Sequence, residues 1–167
     1  MPEKTRSARI DATKVAPGAY HAMTALGTYV RQCGLEQPLL ELVRMRTSQI
    51  NGCAYCLDMH SKDARAAGET EQRLYALDAW RETPFYTDRE RAALAWTEAV
   101  TLVNQGHVPD DVYDLARKHF SEKEIVDLTL AVAEINSWNR IAISLRAGPG
   151  TYQPISHAKA AGAQPVR

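Results

Sequence analysis

Apolar residues recur along most of the chain at intervals of three and four positions, the spacing that places side chains on one face of an α-helix. The first such stretch covers residues 18–33 and is followed by Gly34, a residue type that commonly ends helices. A second stretch covers residues 37–50 and is broken by Asn51-Gly52, and a third covers residues 53–68. The pattern therefore predicts three helices in the first part of the chain.

The rest of the chain carries explicit helix-start signals. Thr87 with Glu90 and Ser121 with Glu124 both match the capping box, a Ser or Thr followed by Glu three residues later. Pro109 suits the first turn of a short helix over the sequence DDVYDLARKHF. The stretch after Ser121 is long and apolar enough to form a central buried helix. With no convincing strand alternation and no strong internal repeat, the sequence predicts an all-α fold of six or seven helices.

The chain length favours a single domain with a short extension. A chain of 167 residues and 18.6 kDa suits one domain, which we expect to cover residues 1–147. Residues 148–167 are rich in Gly, Pro, Ala and polar side chains and predict a flexible or arm-like tail. Tyr152 and Ile155 are the tail residues best suited to pack against a neighbour.

Composition and charge exclude several functional classes. Lys plus Arg and Asp plus Glu each number 20, and this zero net charge argues against a dedicated nucleic-acid-binding protein. A membrane-spanning helix is not expected, because no run of about 18 apolar residues occurs. The polar start of the sequence lacks the apolar region of a signal peptide, and the three cysteines are an odd number. We therefore expect a cytoplasmic protein in which a close cysteine pair performs redox or metal chemistry.

Cys53, Cys56 and His60 are the residues most suggestive of chemistry. Their spacing places all three on one helical face, and the break at Asn51-Gly52 puts Cys53 near a helix N-terminus, where a thiolate is favoured. The imidazole can take the thiol proton of Cys56, and the two thiols can close a disulfide after one is oxidised to sulfenic acid. Glu41, one helix earlier, can orient or protonate His60 across an antiparallel helix pair.

Other interpretations of this segment stay open. Structural zinc usually takes four Cys or His ligands, and Cys53, Cys56 and His60 supply three, so a zinc site would need Glu41 or water as well. A Cys-x-x-Cys pair can also lack any chemistry, and Cys33 is most simply a small buried hydrophobe. Neither a Gly-x-Gly-x-x-Gly motif nor a P-loop occurs, so no cofactor is expected.

Two further predictions concern the tryptophans and one arginine. Trp80, Trp96 and Trp138 are expected to anchor the core or a subunit interface. Arg140 lies in an otherwise apolar helix and therefore needs a carboxylate or carbonyl partner, for which Glu134 and an acid at a subunit interface are candidates.

The pattern Glu-x11-Cys-x-x-Cys-x3-His, formed by Glu41, Cys53, Cys56 and His60, resembles the alkylhydroperoxidase AhpD-like branch of the carboxymuconolactone decarboxylase family. The flanking sequences LLELVRMRTSQINGCAYCLDMH and KDARAAGE are typical of that branch. The resemblance extends over about residues 10–145 and includes the stretch Trp138-Asn139-Arg140.

The resemblance implies an all-helical fold with the Cys-x-x-Cys pair at a helix N-terminus, assembled as homotrimers or homohexamers. It also implies thiol-dependent reduction of a small-molecule peroxide, with Cys56 as the peroxidatic cysteine and Cys53 as the resolving cysteine. His60 and Glu41 would form the proton relay that activates Cys56. The chain departs from the best-characterised peroxidases at Tyr55, where those proteins carry a histidine between the cysteines.

The leading hypothesis is thus a cytoplasmic peroxidase whose cysteine pair is restored by a dithiol protein of the lipoyl or thioredoxin type. It predicts a depressed pKa for Cys56. The alternatives are a disulfide oxidoreductase without peroxidase activity, a redox sensor, a decarboxylase-type lyase and a metal-binding oligomer. The cysteine pair weighs against the lyase, because the decarboxylases of the wider family generally lack it.

Overall fold

The computed structural model describes residues 7–154, and every regular element within them is a helix. Short 3-10 helices cover Leu77–Glu82 and Val103–Gln105. The α-helices are α1 (Ala12–Val15), α2 (Pro17–Gln32), α3 (Gln37–Asn51), α4 (Ala54–Ala66), α5 (Glu71–Tyr75), α6 (Asp88–Thr101), α7 (Asp110–His119) and α8 (Glu122–Leu145).

The all-α prediction is confirmed, and the six helices of ten or more residues match the predicted number. Both capping boxes form as the sequence predicts: the Thr87 and Ser121 hydroxyls accept the backbone N–H of Glu90 and Glu124, whose carboxylates accept the N–H of the cap residue. Pro109 lies one position earlier than expected, as the N-cap of α7. The additional short helices are too brief to show a helical repeat in the sequence.

The helix α3 lies at the centre of the fold because both of its faces are buried. Leu40 and Val43 pack with α6 and α8 in one core, and Leu42 packs in a second core with Trp80. Trp96 is also buried, which confirms the core role of two of the three tryptophans. A helix held on two sides is a rigid support for the polar residues that it carries.

Both ends of the described chain pack on the helical body. The Arg9 N–H donates to the Leu145 carbonyl at 2.9 Å, and residues 148–154 lie along α4. The Tyr152 hydroxyl donates to Asp63 Oδ1 at 2.7 Å, and the Gly150 N–H donates to Asp58 Oδ2 at 2.9 Å.

Ile155 and the remaining predicted tail residues lie outside the described residues, so the domain boundary at 147 stays a prediction. No helix within residues 7–154 is long and apolar enough to cross a membrane.

A left-handed turn at Gly52 joins α3 to α4. The φ of Gly52 is 67°, its N–H donates to the Gln49 carbonyl at 3.2 Å, and the Cys53 N–H donates to the Ser48 carbonyl at 3.0 Å. This pair of hydrogen bonds is the Schellman motif, which ends a helix and satisfies its last carbonyl groups. The turn makes Cys53 the N-cap of the next helix.

We expect Gly52→Ala to lower the free energy of unfolding by about 1 to 2 kcal/mol, the cost of placing a Cβ in the left-handed region. The added methyl group would meet no atom within 4 Å, so the cost is confined to the backbone. Gly148→Ala is the matched control, because its Cβ also meets nothing and its φ lies outside the left-handed region. Urea denaturation measures both variants, and equal stabilities would contradict the role assigned to Gly52.

Candidate active site

The two cysteines of the motif meet at the N-terminus of α4. Cys53 is the N-cap and Cys56 lies in the first turn, which confirms the predicted position of the pair. Both are free thiols and almost completely buried, with exposed fractions of 1% and 2%, and their Sγ atoms lie 2.8 Å apart. They pack against Ile135 and Ala142 of α8. The sequence thus brings two buried thiols into contact.

The contact makes the pair easier to deprotonate but places the charge on Cys53. With both thiols protonated, the Cys53 thiol donates to Cys56 Sγ. Once Cys53 is ionised, the Cys56 thiol becomes the donor, and with the N–H groups of Cys56 and Tyr55 it lowers the pKa of Cys53 to about 7. The pKa of Cys56 is raised, because its proton is held by Cys53 and because the group is buried. The expected depressed pKa of Cys56 is therefore wrong in this arrangement. The reason is that the N-cap position, with its free N–H groups, belongs to Cys53.

Glu41 on α3 reaches His60 on α4, as the sequence predicts. Glu41 Oε2 lies 2.9 Å from His60 Nδ1, and Glu41 Oε1 accepts from Arg44 Nη1 at 2.7 Å. Burial acts to raise the pKa of Glu41, but the hydrogen bond from His60 and the charge of Arg44 hold it below its usual value. The carboxylate is thus ionised and fixes the imidazole through Nδ1. The Nε2 atom is the ring nitrogen left to exchange a proton with another group.

Arg44 and Glu134 belong to the same cluster, although the sequence analysis did not select them as site residues. Arg44 is buried, and its Nε lies 3.8 Å from Glu134 Oε2. Glu134 Oε1 accepts from Trp138 Nε1 at 3.0 Å, and Oε2 has no hydrogen-bond partner within the described residues. Arg44 could have been found from the sequence, because it follows Glu41 at helical spacing.

Arg140 has a carbonyl partner, as predicted, but the candidate pairing with Glu134 is wrong. Arg140 is exposed and donates to the carbonyl oxygen and to Oδ1 of Asn136, one turn earlier in α8. Glu134 lies on the buried face of that helix and takes its cation from α3. A charge in an apolar helix does need a partner, but here the helix itself supplies one at its surface.

Asparagine side chains connect α3 to α8 behind the cysteines. Asn51 Nδ2 donates to Asn139 Oδ1 at 2.8 Å and to Asn136 Oδ1 at 2.9 Å. Asn139 Nδ2 donates to Ser48 Oγ at 3.1 Å. The amide of Asn139 also acts to lower the pKa of each thiol. Sequence analysis missed these residues because a polar residue in an apolar helix does not reveal its partner.

A cavity of about 620 Å³ opens beside the cysteine pair. Cys56, His60 and Glu41 line it, whereas Cys53 lies behind Cys56 and does not contribute to its wall. Tyr20 and Trp138 meet edge to face in this wall, with ring centroids 5.4 Å apart. Further apolar or aromatic lining residues are Tyr55, Met59, Ile141 and Leu145. A small molecule in the cavity would therefore meet Cys56, a histidine and a largely apolar surface.

Tyr55, which stands where the best-characterised peroxidases have a histidine, is part of this wall. Burial raises the pKa of its hydroxyl, so the group stays protonated near neutral pH and does not replace the acid–base role of a histidine. Within residues 7–154, no three His, Cys, Asp or Glu side chains come close enough together to bind one metal ion.

The chain is similar to a known protein family and to several known proteins. Residues 17–99 match the model of the carboxymuconolactone decarboxylase family. The uncharacterized protein YdfG of Bacillus subtilis is 45% identical over 139 residues, which cover 83% of this chain and 95% of YdfG. A crystal structure from Agrobacterium tumefaciens, of a protein of unknown function described as a candidate antioxidant defence protein AhpD, is 44% identical. Its TM-score is 0.85, and the match covers 87% of this chain and all of that one.

A more distant neighbour is the debrominase Bmp8, which is 21% identical with a TM-score of 0.73, over 81% of this chain and 73% of the debrominase. This likeness shows that the fold is shared.

When one of the two thiols is ionised, the sulfurs share the remaining proton, and this sharing predicts how thiol alkylation depends on pH. In a Cys33→Ser background, iodoacetamide should react with a midpoint near pH 7, and the rate should fall about tenfold per pH unit well below it. Cys56→Ala removes the donor to Cys53, so the midpoint should rise toward the ordinary value of 9.0. Stopped-time alkylation with mass spectrometry measures both profiles. Identical midpoints in the two proteins would show that the thiols do not share a proton.

Proposed function

The chain belongs to the carboxymuconolactone decarboxylase family and is AhpD-like, and on this premise we propose that it is a thiol-dependent peroxidase. One observation carries the proposal: Cys56 and the Glu41–His60 pair line one cavity, while Cys53 Sγ lies 2.8 Å from Cys56 Sγ on the side away from it. A peroxide in the cavity would meet Cys56 first and leave Cys53 free to resolve the product.

The first chemical step breaks the peroxide bond. The proton shared by the two sulfurs moves to Cys53, and the Cys56 thiolate attacks the outer peroxide oxygen. The O–O bond breaks, Cys56 becomes a sulfenic acid, and the leaving alkoxide takes a proton from protonated His60 through Nε2. Glu41 stabilises the positive charge on His60 before the transfer and holds the ring in place. The peroxide is reduced to an alcohol by two electrons from Cys56.

The second step closes the disulfide. Cys53 Sγ attacks Cys56 Sγ while the Cys53 thiol proton passes to the sulfenic oxygen. The S–O bond breaks, and the oxygen leaves as water. The sulfurs are already in contact, so bond formation requires little movement of α4. The sum is one hydroperoxide and two thiols giving one alcohol, one water and one disulfide. A dithiol protein of the lipoyl or thioredoxin type then restores the thiols by exchange.

The cavity supports an organic peroxide as the substrate. Its wall is mainly apolar and aromatic, and at about 620 Å³ it is far larger than hydrogen peroxide requires. An alkyl or aryl group would bury apolar surface there, whereas hydrogen peroxide would gain little.

A second candidate function is disulfide oxidoreductase activity without peroxide turnover. The lowered pKa of Cys53 favours it, because a pKa near 7 is typical of Cys-x-x-Cys pairs in thiol–disulfide exchange. The near-complete burial of both thiols weighs against it, since a protein substrate must reach a sulfur directly.

We also propose a cytoplasmic homo-oligomer, a trimer or a hexamer. Val15 of α1 and Tyr20 of α2 expose 72% and 37% of their surfaces, and the cavity wall includes Tyr20. Apolar side chains that stay exposed in one chain are the kind of surface that a second copy would cover.

Cysteine variants separate the two roles. With cumene hydroperoxide and a reduced dithiol donor, Cys56→Ser should lose turnover completely, because it removes the attacking sulfur. Cys53→Ser should lose steady-state turnover but still reduce one equivalent of peroxide, leaving a sulfenic acid that dimedone traps on Cys56. Cys33→Ser is the control and should keep full activity. Peroxide turnover by Cys56→Ser would refute the assignment, and slow oxidation of every protein would favour the oxidoreductase.

His60→Gln tests the proton relay. The variant keeps a side chain that can hydrogen-bond Glu41 but cannot deliver a proton, so kcat/KM for cumene hydroperoxide should fall by about 100-fold. His107→Gln is the matched control, because His107 is exposed on a loop away from the cavity. Equal losses in the two variants, or none in His60→Gln, would contradict the role of His60.

A further inference from the structure

Asn139 lies on the buried face of α8 that closes the cysteine site. It lies in α8 between Ile135 and Ala142, at the spacing that puts all three residues on one helical face. Ile135 and Ala142 both pack against Cys53 and Cys56, so this face of α8 closes the site from behind. Asn139 is fully buried, and its polar atoms must be satisfied inside the protein.

The hydrogen bonds of Asn139 fix which way its amide points. Oδ1 accepts from Asn51 Nδ2 at 2.8 Å, and Nδ2 donates one hydrogen to Ser48 Oγ at 3.1 Å. A flipped amide would place its NH2 group against the NH2 group of Asn51 and its oxygen against a thiolate. The observed orientation instead leaves the second N–H of Asn139 for the sulfurs.

Asn51 is itself held in place. Its Nδ2 also donates to Asn136 Oδ1 at 2.9 Å, and Asn136 Nδ2 donates to the Val132 carbonyl at 2.9 Å. Asn51 is the last residue of α3, immediately before the Gly52 turn that carries Cys53. Residues 51–52 therefore both position Cys53 and, through the Asn51 side chain, orient the amide of Asn139.

We propose that Asn139 is a further catalytic residue, whose free N–H donates to whichever of the two sulfurs carries negative charge, and that Asn51 is its positioning residue. The N–H groups at the start of α4 stabilise charge on Cys53, but attack on a peroxide needs that charge on Cys56. Asn139 lies on the face of α8 whose Ile135 and Ala142 share a buried cluster with both cysteines, and its amide acts to lower the pKa of both thiols. With this donor in place, the proton can move from Cys56 to Cys53, and Cys56 Sγ still has an N–H group to stabilise its negative charge.

The inference deepens the proposed peroxidase function but does not require it for its test. Stabilisation of a thiolate can be measured with no peroxide present. None of the charged or titratable groups that line the cavity beside the cysteines is altered in the variants below. Besides Cys56 they are Asp11, Tyr20, Arg31, Glu41, Arg44, Tyr55, His60, Asp63, Glu134 and Tyr152.

The test is a pH titration of thiolate absorbance near 240 nm, together with iodoacetamide alkylation, in a Cys33→Ser background. Asn139→Leu keeps the approximate volume and removes the donor, so the first midpoint should rise by at least about one pH unit, a tenfold loss of thiolate well below it. Asn51→Leu should shift the midpoint in the same direction, because the amide of Asn139 loses the partner that orients it. Ser48→Ala is the matched control: it disturbs the same amide without removing the donor to sulfur, and its midpoint should stay near that of the parent.

An unshifted midpoint in folded Asn139→Leu would overturn the proposal. Thermal melting by circular dichroism establishes folding. If Asn139→Leu fails to fold, Asn51→Leu decides, because Asn51 is only half-buried and its side chain bonds Asn139 and Asn136. An unshifted midpoint there would overturn the proposal equally. A shifted midpoint without peroxide turnover would sustain the role of Asn139 while rejecting the peroxidase, so the two failures are distinguishable.

Discussion

Everything at the candidate site depends on two buried thiols that share one proton across 2.8 Å. A thiol in a dry environment resists ionisation, and two adjacent thiolates would repel one another strongly. A single charge, stabilised by the remaining thiol and by the N–H groups at the start of α4, avoids both costs. The consequence is a pair that loses its first proton near neutral pH and keeps its second. Such a pair has one nucleophile and one resolving thiol at any moment.

This arrangement needs support from three helices. The helix α3 is fixed on both faces and supplies Glu41 and Arg44, the left-handed turn at Gly52 sets Cys53 at the start of α4, and α8 closes the site with Asn139 and Glu134. Glu41 and Glu134 share Arg44, so the buried cluster lacks one positive charge when both carboxylates are ionised. Glu41 also lies within hydrogen-bond distance of His60 Nδ1, and in the proposed mechanism the leaving alkoxide takes its proton from this histidine.

The local part of the site could be predicted from the sequence, and the distant part could not. Cys53, Cys56 and His60 lie within one helix, where spacing alone fixes the shared face, and Glu41 comes from the preceding helix across a tight turn. The capping boxes at Thr87 and Ser121 are local in the same sense. The contributions of α8 depend on how a helix that begins 56 residues after the end of α4 packs on it, which spacing does not encode. Which sulfur carries the charge depends on the N-cap geometry of Cys53, and the incorrect expectation for Cys56 arose there.

The most direct test of the account is the stoichiometry of a single turnover. Reduced Cys33→Ser protein would be mixed with less than one equivalent of cumene hydroperoxide and no dithiol donor, and the alcohol formed would be quantified against the disulfide linking Cys53 to Cys56 by peptide mass mapping. The account predicts one alcohol for each disulfide formed, with the oxidised fraction equal to the peroxide added. Disulfide formation without alcohol, or alcohol formation with both thiols intact, would contradict it.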